Sequence, residues 1–188
     1  EAEALGYGIN VFITTDKQII INSIMGNVVD GIIGFEDLIA EQDIEAIVHE
    51  EISAVFIDRK TARPTVGSVV FDSFETGKKA TEYLLGQGHE RIAFVSGFNG
   101  VYDSDERLAG YCAALKEAAI PLDESLILDG KFEEEAAHRA IQQFVKEYQG
   151  IWPTAILAGN DLSAIGVIKG LKELNYQVPD DFSVVGFD

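Results

Sequence analysis

The chain has little cysteine, few basic residues and no long apolar run, and each shortage excludes a class of protein. A single cysteine, Cys112, among 188 residues rules out an intrachain disulfide and fits a reducing compartment. Its neighbours Gly110-Tyr111-Cys112-Ala113-Ala114 read as a packed helix face, so the thiol is expected to be buried and inert. Lysine and arginine number 14 against 32 acids, a formal net charge of −18 that repels nucleic-acid phosphate. No apolar run approaches the ~20 residues of a membrane span, and nothing resembles a signal peptide. His49, His89 and His138 lack the paired spacing of a metal site. His89 follows Gly86-Gln87-Gly88 at a helix end, where a cation suits the dipole, and is read as structural. The glycine-rich phosphate-binding motifs and the G-x-S-x-G nucleophile turn are absent too, so neither an enzyme nor a cofactor is expected.

What is present is an alternation of short β-branched runs and amphipathic stretches. Nearly half the residues are apolar (47%), enough to build a core. Strands are predicted at Ile9–Thr14, Gly31–Gly34, Ala54–Ile57, Ser68–Phe71, Arg91–Ser96, Leu126–Leu128, Ala155–Ala158 and Ser183–Phe187. The clearest helices are Gly77–Gln87, Ser104–Ala119, Glu133–Tyr148 and Asp161–Asn175. Such alternation implies an α/β fold with parallel sheets covered on both faces. Glu1–Leu5 reads as the last turn of a helix closed by Gly6, and the chain stops at Asp188 directly after a strand. Lys17–Asn27 is short for a covering helix. The sequence is therefore expected to be a fragment, truncated at both ends.

In open α/β sheets ligands bind outside the carboxyl ends of the strands. The residues that follow the strands here are polar. Asp72 follows one, Asp103 to Arg107 another, Asp129 to Phe132 a third, Asn160-Asp161 a fourth, and Asp188 the last. Carboxylates, an amide, a guanidinium and one aromatic ring suit a hydroxyl-rich guest, which needs both donors and acceptors. Each also has a plainer reading. Asp161 serves equally as a helix cap, Asn160 as a turn residue and Phe132 as a hydrophobic staple. Asp72 and Asp188 suit local caps as well as a ligand. Arg107 is more informative, because a cation in the first turn of a helix opposes the macrodipole.

Several segments resemble the LacI/GalR (lactose-repressor-like) regulators. They are Val70-Phe71-Asp72-Ser73, Gly77-Lys78-Lys79-Ala80, Gly88-His89-Glu90-Arg91-Ile92-Ala93-Phe94-Val95-Ser96-Gly97 and Arg107-Leu108-Ala109-Gly110-Tyr111. Pro153-Thr154-Ala155-Ile156, Asn160-Asp161, Val178-Pro179-Asp180-Asp181 and Val184-Val185-Gly186-Phe187-Asp188 complete the series. Their order and spacing carry the likeness across residues 66–188, and Asn27–Gly34 with Ala54–Arg59 extends it more loosely forward. The resemblance implies a two-lobed periplasmic-binding-protein-like fold, residues 1–73 forming an incomplete first lobe and 74–188 the second, with an effector in the cleft. It implies effector contacts at Asp72, Arg107, Asn160 and Asp188, with Phe132 where an aromatic ring packs against the ligand. It also implies a homodimer that reads operator DNA through a helix-turn-helix head not included here.

The resulting expectation is the sugar-sensing core of a cytoplasmic transcription repressor. A periplasmic sugar-binding protein of a transporter is the alternative, since it shares the fold and the cleft. For the chain itself, the acidic balance predicts no sequence-specific binding to duplex DNA. A gel-shift at physiological salt is expected to show none, and nanomolar, sequence-dependent binding would contradict this.

Overall fold

The computed structural model describes residues 2–14, 16–26, 28–35, 41–49, 52–61 and 63–187. The chain divides into two units, Glu1–Phe71 and Asp72–Asp188.

Unit 1 holds α1 (Lys17–Met25), β1 (Gly31–Phe35), α2 (Glu41–His49), β2 (Ser53–Ile57) and β3 (Val66–Val69). Before them a 3-10 turn at Glu3–Leu5 is closed by Gly6, whose left-handed φ of 80° lets its N–H reach the Glu3 carbonyl. The Asp16 carboxylate caps α1 by accepting from the Gln18 N–H at 2.9 Å. The strands pair in parallel in the order β1-β2-β3. Ile24 of α1, Ile44 and Ile47 of α2, and Ala54, Phe56 and Val66 of the sheet form one buried cluster. Both helices therefore cover the same face. On the other face Ile33, Val55 and Val69 are exposed, so the expected double covering is not met among the described residues of unit 1.

Two strand predictions in unit 1 need correction. Ile9–Thr14 forms no strand: Ile9, Val11 and Ile13 are exposed, and no strand in the described part of unit 1 pairs with them. Ser68–Phe71 begins earlier than expected, as Val66–Val69, because Val66 is the residue that reaches the core while Phe71 is exposed.

Unit 2 is the more regular. Its elements are α3 (Ser73–Gly86), β4 (Ile92–Ser96), α4 (Tyr102–Glu117), β5 (Ile127–Asp129), α5 (Glu134–Glu147), β6 (Ala155–Ala158), α6 (Asp161–Glu173) and β7 (Ser183–Val185). Leu126, expected in β5, lies in a 3-10 turn ahead of it, and β7 ends two residues before the predicted Phe187. The four strands are parallel, in the order β5-β4-β6-β7. Strand alternation divides the core in two. Ala93, Val95, Ile156 and Ala158 pack on Ala137, Ile141, Val167 and Leu171 of α5 and α6. Ile92, Phe94, Ala155 and Leu157 pack on Leu84 of α3 and on Tyr111 and Leu115 of α4. With both faces covered, β6 is apolar throughout and β4 is apolar up to its last residue, Ser96, as central parallel strands require.

Single polar contacts finish the other end of this sheet. Arg91 donates through Nε to the Ile151 carbonyl at 2.8 Å, and through Nη2 to Asp123 at 2.7 Å and to the Tyr148 hydroxyl at 2.8 Å. The Ser125 hydroxyl and then Arg91 hold the Asp123 carboxyl below its ordinary value. His89 Nδ1 meets the Thr154 hydroxyl at 2.8 Å. Cys112 is half-buried on α4, where burial pushes its thiol up and keeps it protonated.

The helix pairs touch at glycines. A Cβ at Gly110 would overlap the Phe74 carbonyl oxygen of α3, and one at Gly166 the Glu134 carbonyl oxygen of α5. Gly86, by contrast, has nothing within 4 Å of where its Cβ would stand. Gly166→Ala gains up to ~1 kcal/mol of helix propensity but must push α5 and α6 apart, which costs roughly 1–3 kcal/mol. Urea denaturation is therefore expected to show a net loss for Gly166→Ala and a neutral or slightly stabilising effect for Gly86→Ala. Equal stability in the two variants would contradict the close-packing account.

Candidate functional site

Parallel pairing in unit 2 brings the carboxyl ends of β4, β5, β6 and β7 to one edge of the sheet. Backbone hydrogen bonds then tie the departing loops together. Gly130 N–H donates to the Ser96 carbonyl at 3.0 Å, Gly159 N–H to the Val95 carbonyl at 2.7 Å, and Asp161 N–H to the Phe187 carbonyl at 2.8 Å.

Arg107 lies in the second turn of α4, which begins at Tyr102 and carries Asp103 and Asp105 in its first turn. The expected conflict with the helix dipole is thereby removed, since that effect fades beyond the first turn. The close approach of α3 at Gly77 fixes the backbone here, because a Cβ on Gly77 would overlap Arg107 main-chain atoms. The side chain is half-buried. Its Nη1 donates to the Gly159 carbonyl at 2.6 Å, and its Nε is buried with no partner. The guanidinium stands over two rings, with its carbon 5.0 Å from the Phe187 centroid and 5.7 Å from that of Phe132.

Phe132 reaches this position through strained backbone. Lys131 and Phe132 have φ of 52° and 56°, left-handed values that bulky residues avoid. Such residues typically cost about 1–3 kcal/mol each and persist where the surroundings enforce them. The enforcement is visible: the Asn160 amide donates to the Phe132 carbonyl at 3.0 Å. Gly97 has no Cβ because the Phe132 ring occupies that space.

Asn160, and not Asp161, caps α6: its Oδ1 accepts from the Ser163 N–H at 2.9 Å. Its amide still has one donor hydrogen and one lone pair to offer. Asp72 caps α3, accepting from the Glu75 N–H at 3.0 Å, and it is exposed. The next residue, Ser73, donates to Asp103 Oδ1 of α4 at 2.6 Å and so joins the starts of the two helices. Arg107, Phe132 and Asn160 thus meet directly through Gly159, while Asp72 is linked to α4 only through Ser73. Asp188 lies outside the described residues.

Sequence reasoning missed Phe187. Counted as the last strand residue, it instead follows β7, packs on the α3–α4 side of the core and presents its ring to Arg107. Among the described residues no group of three or more His, Cys, Asp or Glu could hold a metal, and no helix is long and apolar enough to cross a membrane. A groove of about 630 Å³ lies elsewhere, between β5 and α5. Two of its cations, Lys131 and Arg139, already face Asp129 and Glu135 at 3.8 Å and 3.5 Å, and it gathers no orphaned polar group. The strand-end cluster is the better candidate.

Residues 81–188 match the family model for periplasmic binding protein-like domains. Catabolite control protein A from Priestia megaterium is 30% identical over 92% of this chain and 52% of its own length. A sugar-binding transcriptional regulator of the LacI family from Escherichia coli, solved with phosphate, superposes with a TM-score of 0.82 at 30% identity. That match covers 92% of this chain and 62% of the solved one. A LacI-family regulator from Enterococcus faecium with bound ribose gives 0.79 at 26% identity, covering 89% and 62% respectively. The chain thus spans about half the length of the curated relative.

Proposed function

The chain belongs to the periplasmic-binding-protein-like domain family, in the form carried by LacI-type regulators, and on that premise we propose that it senses a small sugar for a transcription repressor. The observation that carries this reading is the guanidinium of Arg107 at the strand-end edge, flanked by aromatic rings and adjoining the Asn160 cap. A sugar offers hydroxyl pairs around its rim and an apolar C–H face. The remaining N–H groups of Arg107 suit adjacent hydroxyls, the spare amide positions of Asn160 another, and the Phe132 ring the C–H face. Asp72 and Asp188 supply acceptors. The ribose bound by the Enterococcus faecium neighbour supports a sugar as the ligand class.

The transducing role is supported by the relatives, and the net charge of −18 argues against operator binding by these residues themselves. Operator binding is assigned to a basic helix-turn-helix head outside these 188 residues, and sugar binding here would shift its affinity by a coupling of about 1–3 kcal/mol. That the relatives named above are regulators favours this role over a transporter's binding protein, and over an enzyme.

Calorimetry of the chain against a sugar panel that includes ribose tests the ligand. Arg107→Lys keeps the charge but loses the planar fork. One charged hydrogen bond is worth roughly 1.5–3 kcal/mol, so affinity is expected to fall about 10–100-fold. Equal affinity in both proteins would remove Arg107 from the site, and no binding by the wild type to any sugar would overturn the sugar reading.

A homodimer is the proposed assembly. Leu162 and Ile165 sit three residues apart on α6, and both are exposed, as an interface helix requires. Sedimentation at micromolar concentration is expected to show a dimer that Leu162→Glu dissociates. A wild-type monomer would contradict it.

A further inference from the structure

We infer that Phe187 is a positioning residue, whose ring face holds the Arg107 guanidinium in the orientation that a ligand at the strand-end edge meets. The ligand part of this rests on the reading above; the positioning part does not.

A guanidinium carries several N–H donors, and their directions are set by the torsions of a long, flexible side chain. Among the described residues one bond constrains them, from Nη1 to the Gly159 carbonyl at 2.6 Å. Nε is buried without a partner, so hydrogen bonding does not fix the plane of the group. A single bond leaves rotation about its own axis. The rings remove that freedom, because a cation over a ring face is attracted to the negative centre of the π-system.

The two rings are not equivalent supports. Phe132 rides on a turn with two successive left-handed residues and is secured from Asn160. Phe187 is anchored twice to regular structure. Its side chain packs against the buried cluster in the α3–α4 half of the core. Its carbonyl accepts the Asp161 N–H at 2.8 Å at the start of α6. It is also the nearer ring, at 5.0 Å against 5.7 Å. Phe187 is thus the fixed face against which Arg107 is set, leaving Phe132 to present its ring to the ligand.

The experiment combines one readout without ligand and one with it, on the chain as it stands. In ligand-free protein the Arg107 Nε–H resonance should lie upfield of ordinary arginines, shielded by the ring faces. Phe187→Leu should move it back toward them. Site-specific pentafluorophenylalanine at position 187 keeps the ring's shape and reverses the polarity of its face, so the melting temperature is retained if the packing is all that matters to the fold. In calorimetry with ribose both variants are expected to bind about tenfold more weakly, the equivalent of a desolvated cation–π contact. A moved resonance with weakened binding supports the proposal. An unmoved resonance in Phe187→Leu overturns it, whatever happens to binding, and so does full ribose affinity with pentafluorophenylalanine. If the resonance moves but wild-type protein binds no sugar, the sugar reading fails and the positioning of Arg107 by Phe187 stands.

Discussion

The parallel pairing of β4 with β6 is the constraint from which the rest of unit 2 follows. Parallel neighbours cannot be joined by a tight turn, so each strand must return along a helix before the next begins. The helices have to go on the faces, and their apolar stripes make the two half-cores. The same directionality sends every strand out at one edge. Arg107, Phe132, Asn160 and Phe187 come from four different connections and meet there because of it.

Glycine and strain refine that edge. Gly77 brings α3 against the backbone of Arg107, and Gly97 leaves the space that the Phe132 ring fills. The left-handed pair Lys131 and Phe132 is unfavourable locally and is held by the amide of Asn160, which caps α6 with its other end. One side chain therefore couples a helix start to a strained turn. The cluster is also a cationic group on a chain of net charge −18, held among the described residues by rings and a carbonyl. With no acid partner among the described residues, the guanidinium keeps donors for a neutral, hydroxyl-rich guest.

Most of unit 2 was legible in the sequence because burial on both faces writes itself as apolar runs such as Ile92–Val95 and Ala155–Ala158. Unit 1 was less so. Ile9–Thr14 has the alternation of a strand, but alternation encodes a preference for pairing and not the presence of a partner. At the site, residue types were legible and local geometry was not. Arg107, expected in the first turn of its helix, lies in the second because α4 starts two residues earlier, and α6 is capped by Asn160 where Asp161 also suits a cap. Phe187 was hidden inside a strand prediction two residues too long, and no pattern in sequence marks a ring that faces a cation across the fold. The strain at Phe132 was equally invisible, because φ is decided by what surrounds the turn.

Hydrogen–deuterium exchange with and without a saturating sugar tests the central claim most directly. If the strand-end edge of unit 2 is the effector site, amides in residues 97–107, 130–133 and 159–161 gain protection together, although they are distant in sequence. Protection confined to residues 125–129 and 134–148, along the groove between β5 and α5, with no change at those loops, would contradict it.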